Sequence, residues 1–135
     1  MATKRTKTIG IIDIGSNSVR LVCYYIASDQ PTIICNEKEI CSLGEKLEET
    51  GKLSASSRKK TLKALERLLG IAKTMQISSM QAYATAAIRD ASNGKDFIQK
   101  VKDDLGLTIH VISGEEEALY SGYGVLTSFP KTDGL

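Results

Sequence analysis

Residues 8–27 hold the pattern that most narrows the fold. Thr8-Ile9-Gly10-Ile11-Ile12-Asp13 is a β-branched run, rich in side chains that suit a pleated, buried strand. Val19 to Ala27 is a second apolar run, with Leu21, Val22, Tyr24 and Tyr25. Between them, Gly15-Ser16-Asn17-Ser18 is turn chemistry. Two strands joined by a short polar turn predict a hairpin, so the chain commits to a sheet from its start. Asp29-Gln30-Pro31 marks a second turn. Thr32 to Cys41 follows as a third strand, partly alternating between apolar and polar, as in a sheet with one wet face.

The pattern then changes period. Gly44 to Gly51 is a polar loop with several Glu residues. Ser54 or Ser56 is placed to cap the next element. Leu62, Leu65, Leu68, Leu69, Ala72 and Met75 recur at three- and four-residue steps, with Lys59, Lys60, Lys63, Glu66 and Arg67 on other faces. That spacing predicts an amphipathic helix. Met80 to Ala86 is a short strand. Asn93 is placed to cap a second helix, whose buried stripe is Phe97, Ile98, Val101 and Leu105 and whose stop is Gly106. Leu107 to Ile112 is a further strand, and Ser113-Gly114-Glu115-Glu116 opens a third helix running to about Thr127. The order β-β-β-α-β-α-β-α predicts an α/β fold: a mixed five-stranded sheet, antiparallel first and parallel later, with helices packed on it.

Bulk properties exclude several classes. A chain of 135 residues fits one domain. Its 25% of charged residues is ordinary for a globular protein. A net charge of +2 is too small to argue for a nucleic-acid or membrane surface. No apolar run approaches the roughly 18 residues of a membrane span. The basic start, residues 1–7, reads as a frayed tail, because Asp13, Ser16, Asn17, Ser18 and Arg20 interrupt any signal-peptide core. Cys23, Cys35 and Cys41 have no C-x-x-C spacing, and the chain has one His. They read as small buried residues of a reducing cytoplasm rather than as a zinc site or disulfide framework.

Three segments carry candidate chemistry, and each also has a plain structural reading. Asp13-Ile14-Gly15-Ser16-Asn17-Ser18 lies where a strand meets a tight turn. Its backbone N–H groups can converge on a phosphate oxygen, Gly15 allows backbone shapes other residues resist, and Asp13 can hold a metal ion or its water. The same residues also make an ordinary Asx-type turn. Arg89, after the small residues Ala84-Thr85-Ala86-Ala87, is a fork of donors suited to phosphate; it can equally form a surface pair with Asp90. Ser113-Gly114-Glu115-Glu116-Glu117 crowds acids into a helix start. Ser113 and Glu116 have capping-box spacing, which leaves Glu117 unexplained, about 100° around the axis. A carboxylate there can activate a water, or simply be solvated. His110, on a strand beside apolar residues, reads as structural, and Gly122 and Gly124 as marks of close backbone packing.

Taken together, the three segments resemble the exopolyphosphatase / guanosine pentaphosphate phosphohydrolase family. Ile12-Asp13-Ile14-Gly15-Ser16-Asn17-Ser18-Val19-Arg20-Leu21 resembles its first phosphate-binding motif. Thr85-Ala86-Ala87-Ile88-Arg89-Asp90-Ala91-Ser92-Asn93 resembles its T-x-x-x-R-x-A-x-N segment. Ile112-Ser113-Gly114-Glu115-Glu116-Glu117-Ala118, followed by Gly124-Val125, resembles its I-S-G-x-E-E-A segment. The likeness spans about residues 8–126.

The resemblance implies the ribonuclease-H-like subdomain of an actin, Hsp70 and sugar-kinase type fold. It implies a hydrolase that releases terminal phosphate from inorganic polyphosphate or guanosine pentaphosphate with Mg²⁺. Glu117 corresponds to the catalytic carboxylate, Arg89 to a phosphate-holding arginine, and Gly15, Ser16, Asn17 and Ser18 to the first phosphate loop. Such folds place a second loop of the D-x-G-G-G-S kind soon after the third helix, whereas this sequence stops at Lys131-Thr132-Asp133-Gly134-Leu135. The expectation is a subdomain over residues 8–128, with 129–135 leading to a second subdomain of the same chain. The 135-residue chain alone would then bind phosphate weakly and turn over little. Other readings are an ATP-dependent kinase or ATPase of the same superfold, and a non-catalytic sensor of polyphosphate or guanosine tetraphosphate. A nuclease is argued against by the lack of acids at strand ends beyond Asp13. An open apolar edge leaves homodimer formation open.

Overall fold

A computed structural model describes residues 7–27 and 30–116. The first two runs form β1 (Lys7–Ile14) and β2 (Ser18–Ile26), antiparallel from Lys7↔Ile26 to Ile14↔Val19. The strand thus begins inside the expected basic tail, at Lys7. β3 (Pro31–Ile40) pairs antiparallel with β2, with an irregularity between Cys23 and Tyr24. β4 (Ser79–Ala84) and β5 (Ile109–Val111) add in parallel on the other side of β1, giving the order β3-β2-β1-β4-β5. The mixed five-stranded sheet is the expected one. Its β5 is shorter than the Leu107–Ile112 run.

β3 is an edge strand, and its exposed Ile33, Ile34 and Ile40 show it. Alternate residues Glu37 and Glu39 turn toward Arg67, which pairs with both; the hydrogen bond to Glu39 raises the Arg67 pKa above its ordinary value.

The long helix, α2 (Ala55–Thr74), is capped by Ser54, whose hydroxyl accepts from Ser57 N–H at 3.1 Å. Its buried stripe is Ser57, Thr61, Ala64, Leu65, Leu68 and Ala72. This is rotated from the expected Leu-centred stripe, leaving Leu62 and Leu69 half-buried. The helix turns its small residues toward the core, and the buried Thr61 satisfies its hydroxyl within the helix by donating to Ser57 C=O at 2.7 Å. With Ile12, Ile14, Val19, Leu21, Cys23, Phe97 and Val101 they make one core. Fully burying side chains such as Phe97 contributes about 1.5–3 kcal/mol each.

Two short helices occupy stretches read as loop or strand end: α1 (Leu47–Thr50) and α3 (Ala86–Asp90). The second amphipathic helix is α4 (Gly94–Leu105), ended by Gly106 at φ 70°. Asn93 does not cap it. Its side chain instead clips the loop before α2, accepting from Leu53 N–H at 2.8 Å and donating to Leu53 C=O at 3.0 Å. Matching both backbone groups of a distant residue satisfies more of the amide than one cap bond would.

Cys23 and Cys41 are buried and Cys35 partly so, all three as thiols. Burial, helped by the neighbouring Cys35, pushes the Cys23 thiol up to about 11, and burial also raises Cys41. Both stay protonated and weakly nucleophilic near neutral pH. No helix among the described residues is long and apolar enough to cross a membrane.

Candidate active site

Each of the three motifs begins where one of the parallel strands ends. β1, β4 and β5 lie side by side, and their last rows align as Ile14↔Ala84↔Val111. The next residues step out together: Thr85 N–H donates to Ile14 C=O at 3.2 Å, and Ile112 N–H to Ala84 C=O at 3.0 Å. The Gly15–Ser18 turn, the Thr85–Arg89 segment and the Ser113–Glu116 helix start therefore share one edge of the sheet. Ligands of open α/β sheets bind at the carboxyl ends of strands.

The first turn is held from behind. Gly15 N–H donates to Ser18 C=O at 2.9 Å. Asn17 C=O accepts from Cys41 and Ser42, both at 2.9 Å, and Ser16 C=O accepts from Gly44 N–H at 2.9 Å. The carbonyls thus point into the 41–44 segment. Among the described residues, the Ser16 and Asn17 amides donate to no backbone carbonyl. Ser16 and Asn17 are exposed, as is Asp13 one row below. A turn with its carbonyls anchored and amides left over from backbone pairing is the arrangement that receives an anion. A left-handed backbone is not what places glycine at position 15: its φ is not positive, and an added Cβ would lie 3.4 Å from Ser18 C=O, an ordinary contact.

The 41–44 segment was not singled out in the sequence, yet it braces the site. Ser42 has φ 51°, a left-handed shape that costs a non-glycine residue of order 1 kcal/mol. Its N–H donating to Asn17 C=O and the Ser57 hydroxyl donating to its carbonyl at 3.1 Å hold it there. Gly44 packs between the turn and α3: an added Cβ would meet Ser16 Cβ at 3.2 Å and Ala87 Cβ at 3.5 Å. An isolated glycine after Leu43, ahead of a charged run, was the one sequence mark of this approach.

Arg89, at the end of α3, uses Nε on Asp90 at 3.2 Å and Nη1 on the Ile112 carbonyl at 3.2 Å. The surface pair with Asp90 is real, and the second bond adds something to it. It ties the guanidinium to the residue before Ser113, so the second motif touches the third. Ser113 and Glu116 make the expected capping box: Glu116 N–H donates to the Ser113 hydroxyl at 3.0 Å, and Ser113 N–H to the Glu116 carboxylate at 3.1 Å. Glu117, the helix to Thr127, Gly122, Gly124 and the 129–135 stretch lie outside the described residues. His110 stacks against Tyr83, ring centres 6.0 Å apart, in the same row of the sheet as Asp13.

This sheet order and the motifs at its strand ends define a subdomain of the actin-like ATPase fold, the class expected from the resemblance. The Ppx/GppA phosphatase family model matches residues 22–135, and the chain belongs to that family. Exopolyphosphatase 1 of Mycobacterium bovis is 28% identical over 111 residues, covering 82% of this chain and 32% of that protein. The crystal structure of the Aquifex aeolicus Ppx/GppA family member superposes with a TM-score of 0.87 at 34% identity, covering 94% of this chain and 42% of that one. An exopolyphosphatase structure from Cytophaga hutchinsonii gives 0.88 at 28% identity, covering 94% and 41%. The chain spans about a third or less of the length of the curated relatives it matches.

Proposed function

We propose that the full-length protein releases the terminal phosphate of inorganic polyphosphate, with guanosine pentaphosphate a second substrate of the same anhydride chemistry. The observation that carries the reading is the alignment of three motifs at the ends of adjacent parallel strands, in a member of a phosphatase family. In this reading the Ser16 and Asn17 amides of the Gly15–Ser18 turn hold equatorial phosphate oxygens, and Arg89 supplies a positive fork for the same group. Glu117 takes a proton from water. The water oxygen bonds to the terminal phosphorus as the anhydride P–O bond breaks, and the shortened chain leaves with the bonding pair.

A divalent ion, Mg²⁺ in this reading, suits the residues present. Among the described residues no three His, Cys, Asp or Glu side chains stand together as a metal cage. Mg²⁺ characteristically takes one or two carboxylates and completes its shell with water and substrate phosphates, so the exposed Asp13 at the strand end is a sufficient protein anchor. When bound, the ion would neutralise charge on the phosphate oxygens. The second subdomain would supply the opposite wall.

Arg89→Gln in the full-length protein is expected to lower kcat/KM for phosphate release from polyphosphate by about 10²–10³-fold. Arg89→Lys should recover only part of it, since an ammonium cannot act as a planar fork. Thermal unfolding separates this from the lost tie to Ile112. Wild-type rates in a folded Arg89→Gln protein would remove Arg89 from the reading.

A further inference from the structure

A second basic feature lies on the exposed side of α2 and α4. An open groove of about 190 Å³ is lined by Ala55, Arg58, Lys59, Leu62 and Lys100. Three of the five residues are cationic and none is acidic. Lys63, one turn on from Lys59, extends the charge along α2 beyond the groove.

Their position runs against helix stability. The N-terminal end of a helix carries a partial positive charge and favours acids, yet the first turn of α2 has none and the second turn opens with Arg58, Lys59 and Lys60. Nor do neighbours neutralise them. Among the described residues, Arg58, Lys59, Lys60 and Lys63 are in no ion pair, whereas Arg67 further along the same helix holds two carboxylates. Lys100 pairs with Asp104 at 3.1 Å, an exposed contact worth under about 1 kcal/mol that a polyanion can displace. Arg58 is steadied by its Nε donating to Ser54 C=O at 3.4 Å.

The groove is also mechanically joined to the candidate site. It starts at Ala55, two residues after Leu53, which Asn93 clips to the start of α4. Ser57 on the first turn of α2 holds Ser42, and Ser42 holds Asn17 of the candidate phosphate turn.

We propose that this groove is a docking track for the distal part of a long linear polyanion, inorganic polyphosphate, whose terminal group occupies the strand-end site. The inference rests on the polyphosphate reading above. A repeating chain of singly charged phosphates matches a groove with three cations and no acid in its lining, two of them outside any ion pair among the described residues, and a track reached only by long chains would favour them over short ones. Such binding works by counterion release and fades with salt in proportion to the phosphates neutralised.

The test uses the full-length protein, long-chain polyphosphate and tripolyphosphate. Arg58→Gln/Lys59→Gln/Lys100→Gln is expected to weaken long-chain binding by about tenfold or more and to flatten its log–log salt dependence by about 2. Tripolyphosphate affinity and thermal stability should stay at wild-type values. Arg89→Gln should show the converse, losing tripolyphosphate while keeping salt-sensitive long-chain binding. Wild-type long-chain affinity and salt slope in the triple variant would overturn the track. Single-stranded DNA of equal charge competing as well as polyphosphate would overturn the assigned occupant. If the wild-type protein binds polyphosphate of no length, the active-site reading itself fails.

Discussion

Replacing Glu117 with glutamine in the full-length protein should cut phosphate release from polyphosphate by about 10²–10⁴-fold, the usual contribution of a positioned general base. Polyphosphate affinity should change little, because a neutral amide of the same shape still fits beside the phosphate. The neighbouring acid provides the control. Glu116 is committed to the capping box, its carboxylate accepting from Ser113 N–H at 3.1 Å. Glutamine serves that box as well as glutamate does, so Glu116→Gln should keep most of the rate. One residue of sequence therefore separates a large kinetic effect from a small one. A rate loss that followed Glu116 instead would mean that the base had been assigned to the wrong one of two adjacent carboxylates. A sensor would differ again, keeping its binding response through both changes with no rate to lose.

The largest structural effect is expected at Gly94. A Cβ there would overlap the Ile88 carbonyl oxygen and come within 3.0 Å of its carbon. Both are backbone atoms of α3, one residue before Arg89, and cannot swing aside as a side chain can. Gly94→Ala must push α4 off α3 and should cost about 2–4 kcal/mol, roughly 10 °C in thermal midpoint. Because α3 carries Arg89, activity at permissive temperature should fall as well. Two other glycines calibrate the result. At Gly10 the obstruction is the end of the Met80 side chain, which can move, so Gly10→Ala should cost about 1 kcal/mol or less. At Gly70, within α2, nothing lies within 4 Å, and alanine should stabilise the helix by about 0.5–1 kcal/mol. Calorimetry of the three variants checks the order; Gly94→Ala melting with the wild-type protein would contradict the packing described.

How much of this was readable in the residues depended on the range of the force involved. β1 and β2 announced themselves as β-branched and apolar runs on either side of turn residues, and α2 because burial of one face imposes a 3.6-residue period. The capping box at Ser113 and Glu116 and the stop at Gly106 were legible because they are local backbone chemistry. α3 was not, since five residues are too few to display a period, and it is the burial of Ala87 and Ile88 that holds them helical. Asn93 looked like a cap because nothing local reveals that Leu53, 40 residues away, presents a matching N–H and C=O. The site divides the same way. Turn chemistry and a lone arginine marked the Gly15–Ser18 and Arg89 positions, but their convergence is a product of parallel pairing among β1, β4 and β5. The capping box left Glu117 without a structural reason, but its catalytic role came only through family resemblance, and the bracing by Ser42 and Gly44 is a tertiary contact throughout.

One phosphate, held jointly by the turn after β1, by Arg89 and beside the helix that follows β5, is what the mechanism requires. A crystal structure of the full-length protein with orthovanadate or a non-hydrolysable polyphosphate would show this directly. The anion should accept from Ser16 and Asn17 N–H and from the Arg89 guanidinium, with a water between it and the Glu117 carboxylate. An anion bound elsewhere, with the Gly15–Ser18 turn unengaged and Glu117 turned to another face, would contradict it.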